Sequence, residues 1–334
     1  ATAADFYVQF LNKGDYRNKD VQIDNVALID NAPVEVQTPY TEAQIPTVNG
    51  PQSADLIYLF HPSHPVYKLT RLGHSSWSLI EAGFEDGPWG KNNDGITLTT
   101  ITPTAATGLG IDFTASSIVG INDDKGFQST DVGRLIRLSD NATENWGWGV
   151  IVSVTSTTVV KVDVRRTVVV TTAETNWRLG EWSATTGYPS NGTFYQQRLY
   201  GANTTDQPQT WWASNTGDFL VMSPDSPTAA GVWSGTVEDD DGLDYTISAD
   251  NANGIHWMSP GENTLAFGTQ GGEWTAASTG ASITPTDVVV NPATSHGVAN
   301  IEPLRVGNVA LFVQRAKRKL REFGFNFESD GYQA

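Results

Sequence analysis

Two short segments of the chain combine residue types that are able to bind a cation. The first, HPSHP, places His61 and His64 close together, and imidazole nitrogens are common ligands of transition metals. Each histidine precedes a proline, which favours extended backbone, and no carboxylate lies nearby to complete a site. We therefore interpret HPSHP as a turn and expect no metal there.

The second segment, VEDDDGLDY, is dense in carboxylates. Its acids are Glu238, Asp239, Asp240, Asp241 and Asp244. Their spacing does not match the EF-hand loop, in which a glutamate closes the site at the twelfth position. We interpret the segment as an acidic hairpin turn, and incidental binding of a divalent ion is the alternative.

Sequence signatures of catalysis are absent. The chain has no cysteine, and it has no GxSxG, HExxH, phosphate-loop or dinucleotide motif. A glycoside hydrolase needs only two carboxylates roughly 5–10 Å apart. The 37 Asp and Glu residues of the chain are compatible with such an enzyme. Tryptophans that could stack on sugars are interpreted instead as packing between sheets. They are Trp211, Trp212, Trp233, Trp257 and Trp274. We expect no catalytic residue, no cofactor and no enzymatic activity.

The elements that position these residues are predicted to be β-strands. Charged residues make up only 17% of the chain, and Thr, Ser, Asn and 32 Gly fill the difference. Short runs of β-branched and aromatic residues alternate with Gly, Pro, Asn and Asp turns. Examples are ADLIYLFHP, YKLTRL, TTVVKVDV, NTLAFGT and NVALFVQ. Only the stretch from Thr41 to Ile45 suggests a helical turn. The chain is predicted to be all-β.

A strand–turn–strand pattern recurs and predicts a β-propeller-like body of repeated antiparallel blades. Its four instances are Leu56–Leu72, Gln197–Ser214, Ile255–Ala276 and Val306–Phe325. The segment 111–183 interrupts the pattern and is long enough for an inserted small β-barrel. We therefore predict blades in 1–110, the barrel in 111–183 and further blades in 184–334. Unrelated hairpins in a β-sandwich are the alternative.

Charge is distributed unevenly over a chain whose net charge is −17. No Lys or Arg lies between Arg198 and Arg305, an interval that holds 13 acids. A basic stripe follows it directly, consisting of Arg315, Lys317, Arg318, Lys319 and Arg321. Such a separation favours contacts between unlike surfaces of two copies, or an acidic surface that repels its surroundings. A solvated acidic face next to a basic hairpin edge is the simpler interpretation.

Several stretches, in order, resemble the tail hub or nozzle proteins of short-tailed bacteriophages, which include packaged-DNA stabilisation and tail tubular B-type proteins. The two leading stretches are PYTEAQIPTVNGPQSADLIYLFHPSHPVYKLTRLGHSSWSL (39–79) and YPSNGTFYQQRLYGANTTDQPQTWWASNTGDF (188–219). Supporting stretches lie at 241–275 and 283–332. In the second stretch Arg198, Trp211 and Trp212 are expected on adjacent strands as a structural blade motif. The termini lead us to expect a fragment or a processed chain.

The resemblance implies a structural virion protein, assembled in the host cytoplasm and located in the phage tail. It implies a homo-hexameric ring below the portal and adaptor that retains packaged DNA and lets double-stranded DNA pass. It also implies docking of tail spikes, fibres or a needle. On this hypothesis Glu238 to Asp244 face the lumen or a subunit interface, and Arg315 to Arg321 pair with acids of a neighbouring subunit.

Two other classes of protein remain as alternatives. They are a secreted carbohydrate-active β-propeller enzyme and a lectin-like receptor-binding module. No apolar run approaches the roughly 18–20 residues of a membrane helix, so we expect no membrane insertion.

Overall fold

The computed structural model describes residues 35–93, 99–140, 144–249, 253–326 and 331–334. Within these ranges every regular element is a β-strand, apart from two 3-10 turns at Ile45–Thr47 and Ser129–Asp131. The first of these turns begins at the end of the stretch for which a helical turn was predicted. The first 34 residues of the predicted segment 1–110 lie outside the described residues.

The first sheet is a four-stranded antiparallel meander in which neighbours in sequence are neighbours in space. Alternation of side chains across the strands buries Tyr58 and Phe60 on one face. Its strands are β1 Gln52–Ser53, β2 Leu56–His61, β3 His64–Gly73 and β4 Ser76–Glu81.

A six-stranded sheet follows. Its strands are β5 Ile101–Pro103, β6 Ile111–Ala115, β7 Leu135–Ser139, β8 Trp146–Ser156, β9 Val159–Arg166 and β10 Trp177–Leu179. Their spatial order is β10-β7-β8-β9-β6-β5. Ile101 of the outer strand β5 and Glu174, just before the other outer strand β10, exchange two backbone hydrogen bonds of 2.9 and 3.0 Å, which closes the sheet. The sheet encloses its own apolar core, which includes Phe113, Ile136 and Trp177. It begins at Ile101, earlier in the chain than the predicted start at residue 111.

Three further four-stranded meanders complete the body. The second sheet comprises β11 Asn191–Tyr195, β12 Arg198–Ala202, β13 Thr210–Ala213 and β14 Leu243–Thr246. The third comprises β15 Ile255–Pro260, β16 Leu265–Thr269, β17 Glu273–Ala277 and β18 Val289–Thr294. The fourth comprises β19 Leu304–Val306, β20 Val309–Val313, β21 Leu320–Asn326 and β22 Gly331–Gln333. In each, the spatial order of the strands is their order in the chain.

The four meanders stack in a row. Phe60 of the first sheet packs with Leu199 of the second, where a β-carbon on Gly192 would approach the Phe60 ring to 2.3 Å. Trp211 of the second sheet packs against Phe267 of the third, with ring centroids 5.3 Å apart. Trp257 of the third packs on Phe312 of the fourth. The predicted all-β fold with a propeller-like body of repeated antiparallel blades is confirmed.

Buried ion pairs join the closed six-stranded sheet to the row of meanders. Arg137 Nη2 lies 2.6 and 2.5 Å from the two carboxylate oxygens of Asp225, in the loop between β13 and β14. Arg166 Nη2 lies 2.5 Å from Asp86, which follows the first sheet. The Arg166 guanidinium also covers the ring of Trp233, 3.3 Å from its centroid. Charges at this depth need such partners, so the contacts fix one position of the closed sheet against the body.

Candidate assembly surfaces and a carboxylate cleft

The acidic run begins in the β13–β14 connection of the second sheet and reaches into β14, and its residues before β14 occupy two environments. Glu238, Asp239 and Asp240 are exposed in the turn before β14. Asp241 is fully buried, and its carboxylate accepts hydrogen bonds from the Ser226 hydroxyl at 2.7 Å and the Glu238 backbone N–H at 2.8 Å. Burial raises the pKa of Asp241 above its ordinary value, and these hydrogen bonds partly offset that effect. Asp241 therefore holds the turn, while the three exposed acids form a surface.

The blade motif of Arg198, Trp211 and Trp212 lies on the adjacent strands β12 and β13, with all three side chains buried. The Arg198 guanidinium donates to the backbone carbonyls of Ser214 at 2.7 Å and Asp239 at 2.6 Å, and also to that of Asp241. The Arg198 side chain thus binds the backbone of the acidic turn. Its role is to fix the long β13–β14 connection onto the sheet.

The basic stripe surrounds the turn between β20 and β21. Arg315, Lys317, Arg318 and Lys319 are exposed, and none of them forms an ion pair with a described residue. Arg321 differs, because its guanidinium donates to Gln314 and to the Ala334 carbonyl. Four of the five predicted cations are therefore free to meet an external anionic group.

The outer face of the fourth sheet is apolar and open. In β20, Ala310 and Phe312 point toward the third sheet, so the alternate residues point away from it. The apolar end face consists of Leu304, Val306, Val309, Leu311, Val313 and Leu320. Leu304 and Leu320 are 66% and 67% exposed. A sheet face of this kind is typical of an interaction surface.

The opposite end of the row also presents an apolar face. In the first sheet Tyr58 and Phe60 point toward the second sheet, and the alternate positions form the outer face. That outer face carries Ile57, Leu69, Trp77 and Leu79, all half-buried. The row thus ends in two different apolar faces.

A cleft with a volume of about 220 Å³ lies where the second sheet meets the closed six-stranded sheet. We call it the carboxylate cleft; its polar and aromatic lining residues include Trp89, Lys91, Arg178, Glu181, Gln207 and Asp244. A second cavity of about 310 Å³ adjoins it and shares Gly90, Lys91 and Glu181. The elements that build the cleft are the segment after β4, the end of β10, the β12–β13 loop and β14.

Glu181 stands in the wall shared by the two cavities. Its Oε2 accepts a hydrogen bond of 2.6 Å from the Gln207 side chain, and its backbone N–H donates to Pro88. Desolvation raises the pKa of the Glu181 carboxyl, and the negative charges of Asp244 and Asp206 raise it further. The Gln207 hydrogen bond and the Arg134 guanidinium act in the opposite direction. A carboxyl in such surroundings is suited to carry a proton that a solvated glutamate would lose.

Asp244 supplies the second carboxyl of the cleft. It lies on β14 opposite Trp212, exposed at the mouth of the cleft yet bordered by protein. These surroundings raise its pKa by desolvation, while the Arg178 guanidinium lowers it. Each carboxyl thus has one arginine near it, Arg134 for Glu181 and Arg178 for Asp244, and Glu181 also has the Gln207 amide as a hydrogen-bond partner.

The HPSHP segment forms the β2–β3 hairpin. The rings of His61 and His64 have centroids 5.3 Å apart, and the Tyr40 ring contacts both. The part of the chain that the structure describes holds no group of three His, Cys, Asp or Glu side chains able to bind a metal ion. In the same residues, no helix is long and apolar enough to span a membrane.

Sequence reasoning named Asp244 only as part of the acidic run facing a lumen or subunit interface, and it missed Glu181 and Gln207. Glu181 lies in the segment WRLGEW, which was interpreted only as part of the inserted barrel, and Gln207 lies in a polar turn. No local motif distinguishes them, because the cleft forms only when three distant segments meet.

No family model matches this chain, and no curated protein matches it. Among solved structures the chain is similar to the crystal structure of an exo-1,5-α-L-arabinanase from a bovine ruminal metagenomic library. The similarity covers 84% of this chain and 94% of that one, at 11% identity and a TM-score of 0.22. At these values it assigns neither a catalytic residue nor a substrate.

This comparison corrects one expectation. The absence of short catalytic motifs led to the prediction that the chain is not an enzyme, and the similarity to an arabinanase leaves that prediction without support. Short motifs are a poor guide here, because a pair of carboxylates brought together by folding leaves no signature in the sequence.

Proposed function

We propose that this chain is a subunit of a ring-shaped tail hub or nozzle of a short-tailed bacteriophage. In this proposal the ring extends the DNA channel below the portal and adaptor, retains packaged DNA, and lets it pass on ejection. Spikes, fibres or a needle dock on it, and assembly takes place in the host cytoplasm before the chain joins the virion tail.

The observation that carries the proposal is the pair of unlike apolar faces at the two ends of the row of sheets. A contact between the fourth sheet of one copy and the first sheet of the next is heterologous, meaning that it joins two different surfaces. Repetition of such a contact closes a ring when the rotation per subunit permits it. The ordered series of motifs in 39–332 supports the same assignment.

The distribution of charge fits a DNA conduit. Glu238, Asp239 and Asp240 are exposed on a chain whose net charge is −17. An acidic lining repels phosphate, so DNA would move past it without binding. In the proposed ring these three acids face either the channel or the exposed cations of the next subunit; Asp241 is excluded from that role because it is buried.

Native mass spectrometry and negative-stain imaging of the full chain test the proposal. We expect rings of six subunits with a central hole. The double variant Val306→Asp and Leu320→Asp should prevent ring formation, because it places charge on the apolar end face. Leu109→Asp is the matched control, since Leu109 is 75% exposed and lies outside that face. A chain that stays monomeric at tens of micromolar and also fails to join portal–adaptor complexes contradicts the proposal.

A carbohydrate-active protein is the second candidate, and the carboxylate cleft is the observation that favours it. Two carboxyls with different partners line one cavity beside an aromatic ring, an ammonium group and an amide. Hydrolysis of glycans by the purified chain would support an enzyme. Saturable sugar binding without hydrolysis would support a lectin-like module instead.

A further inference from the structure

We propose that the carboxylate cleft is a glycoside-hydrolysing site in which Glu181 is the general acid and Asp244 is the general base. The inference rests on the second candidate function and is independent of ring assembly. No short sequence motif of the chain indicates this activity.

The position of Glu181 is the first reason. Gln207 holds its Oε2 at 2.6 Å, which orients the carboxyl and leaves Oε1 directed toward Gly90. A β-carbon at position 90 would lie 3.0 Å from Oε1. Because glycine has none, the space beside this oxygen stays open at the junction of the two cavities. A general acid needs such access, since it must reach the leaving-group oxygen within hydrogen-bond distance.

The different partners of the two carboxyls are the second reason. Glu181 has an uncharged amide as its hydrogen-bond partner, whereas Asp244 is stabilised by the Arg178 guanidinium. Burial raises the pKa of both carboxyls, and it is opposed by the charge of Arg134 at Glu181 and by that of Arg178 at Asp244. The division of roles therefore rests on the amide that orients Glu181 and on the exposed position of Asp244 at the mouth of the cleft, where water reaches it. Pairs of titratable groups whose environments differ in this way divide the roles of acid and base.

The rest of the lining suits a polyhydroxylated ligand. Lys91 and Arg178 donate hydrogen bonds, Gln207 both donates and accepts them, and Trp89 adds an aromatic edge. Sites of this composition orient a ligand through a few convergent polar groups beside apolar surface. The adjoining cavity, which shares Glu181, provides room for a neighbouring sugar unit.

The reaction balances without a further reactant. Glu181 gives its proton to the glycosidic oxygen as the bond from that oxygen to the anomeric carbon breaks. Water attacks the anomeric carbon, its oxygen forms the new bond, and Asp244 takes the released proton. The products are a hemiacetal sugar and an alcohol, and proton exchange with water restores both carboxyls.

The test uses the purified full chain with α- and β-linked 4-nitrophenyl glycosides of common hexoses and pentoses, together with soluble polysaccharides. Release of nitrophenol or of reducing ends is measured against pH. Each of Glu181→Gln and Asp244→Asn should lower kcat by at least roughly 100-fold, the usual contribution of a general acid or base. Both variants should keep KM within about threefold.

Glu238→Gln is the matched control, because Glu238 is an exposed acid of the same region outside the cleft. It should keep full activity. Gly90→Ala, which fills the space beside Oε1, should lower kcat, whereas Gly73→Ala, whose β-carbon would meet only Ser76 at 3.9 Å, should not. Circular dichroism of every variant separates loss of activity from loss of folding.

Three results overturn the inference: no hydrolysis of any probe, full activity in Glu181→Gln, or full activity in Asp244→Asn. Sugar binding measured by calorimetry without hydrolysis would leave the carbohydrate-binding function in place and reject the catalytic assignment. Ring formation without hydrolysis would leave the hub function in place and would likewise reject the catalytic assignment. The failure of each proposal is therefore visible separately.

Discussion

Every residue of β12 and β13 in the second sheet is buried, whereas every residue of β19 in the fourth sheet is exposed. The two sheets have the same topology and the same alternation of side chains. They differ in their neighbours, because among the described residues the second sheet is covered by the first and third, while the fourth packs against the third alone. The same four-stranded meander is therefore part of the core as the second sheet and forms an exposed surface as the fourth.

Truncation of a tryptophan should reveal this difference most strongly. Trp211→Ala removes a fully buried ring that stacks on Tyr200 and contacts Phe267, and it should lower the free energy of unfolding by about 3–5 kcal/mol. Leu320→Ala, on the exposed face of the fourth sheet, should change it by less than about 0.5 kcal/mol. Urea denaturation measures both. Similar losses in the two variants would show that the fourth sheet is covered in solution.

The buried ion pairs allow a comparison of the interior with the surface. Asp225→Asn leaves the Arg137 guanidinium buried without its counter-charge and should cost about 3–5 kcal/mol. Asp55→Asn removes the exposed partner of Arg71 and should cost less than about 1 kcal/mol. Thermal unfolding with calorimetry compares the two. Equal effects would contradict the view that the first pair fixes the closed sheet to the body.

His61 makes the stability of the first sheet sensitive to acid. Burial and the neighbouring His64 lower the pKa of His61 below its ordinary value of 6.5. The unfolded chain therefore takes up a proton at a higher pH than the folded chain does, so stability is lost as pH falls below about 6.5 toward the lowered pKa. Denaturation curves between pH 8 and pH 5 should show a smaller decrease for His61→Gln than for the wild type. An identical decrease would assign the acid sensitivity to other groups.

Charge reversal on the basic stripe should have the smallest effect on folding. Lys317→Glu with Lys319→Glu alters two exposed side chains that pair with no described residue, so the free energy of unfolding should change by less than about 0.5 kcal/mol. Ring assembly should weaken nevertheless. Restoration of rings by Asp239→Lys with Asp240→Lys would identify the acidic turn as the partner surface, and intact rings in the first variant would exclude the pairing.

The fold was largely predictable from the sequence because strand alternation and turn residues are local signals. The runs ADLIYLFHP and NVALFVQ are strands, and in TWWAS Trp211 packs between the second and third sheets as expected, whereas Trp212 packs against Trp182 and Met222. The acidic run shows the limit of local reasoning. Asp241 and Asp239 lie two positions apart, but the backbone of the turn buries one and exposes the other.

The candidate cleft was not predictable, for a different reason. Glu181, Gln207 and Asp244 belong to three segments that meet only after the closed sheet has docked on the second sheet. Neither the raised pKa of Glu181 nor its orientation by Gln207 follows from the residues next to it in sequence. These properties depend on desolvation and on side chains from distant parts of the chain.

The position of the closed sheet in the chain affects the order in which the protein forms during synthesis. Tyr58 and Phe60 of the first sheet are covered by Phe194 and Leu199, which the ribosome adds only after the whole closed sheet has been made. At roughly 5–20 residues per second this interval lasts on the order of ten seconds. The closed sheet has a core of its own and can form while the first sheet waits uncovered. The apolar face of the nascent first sheet therefore stays uncovered during that interval.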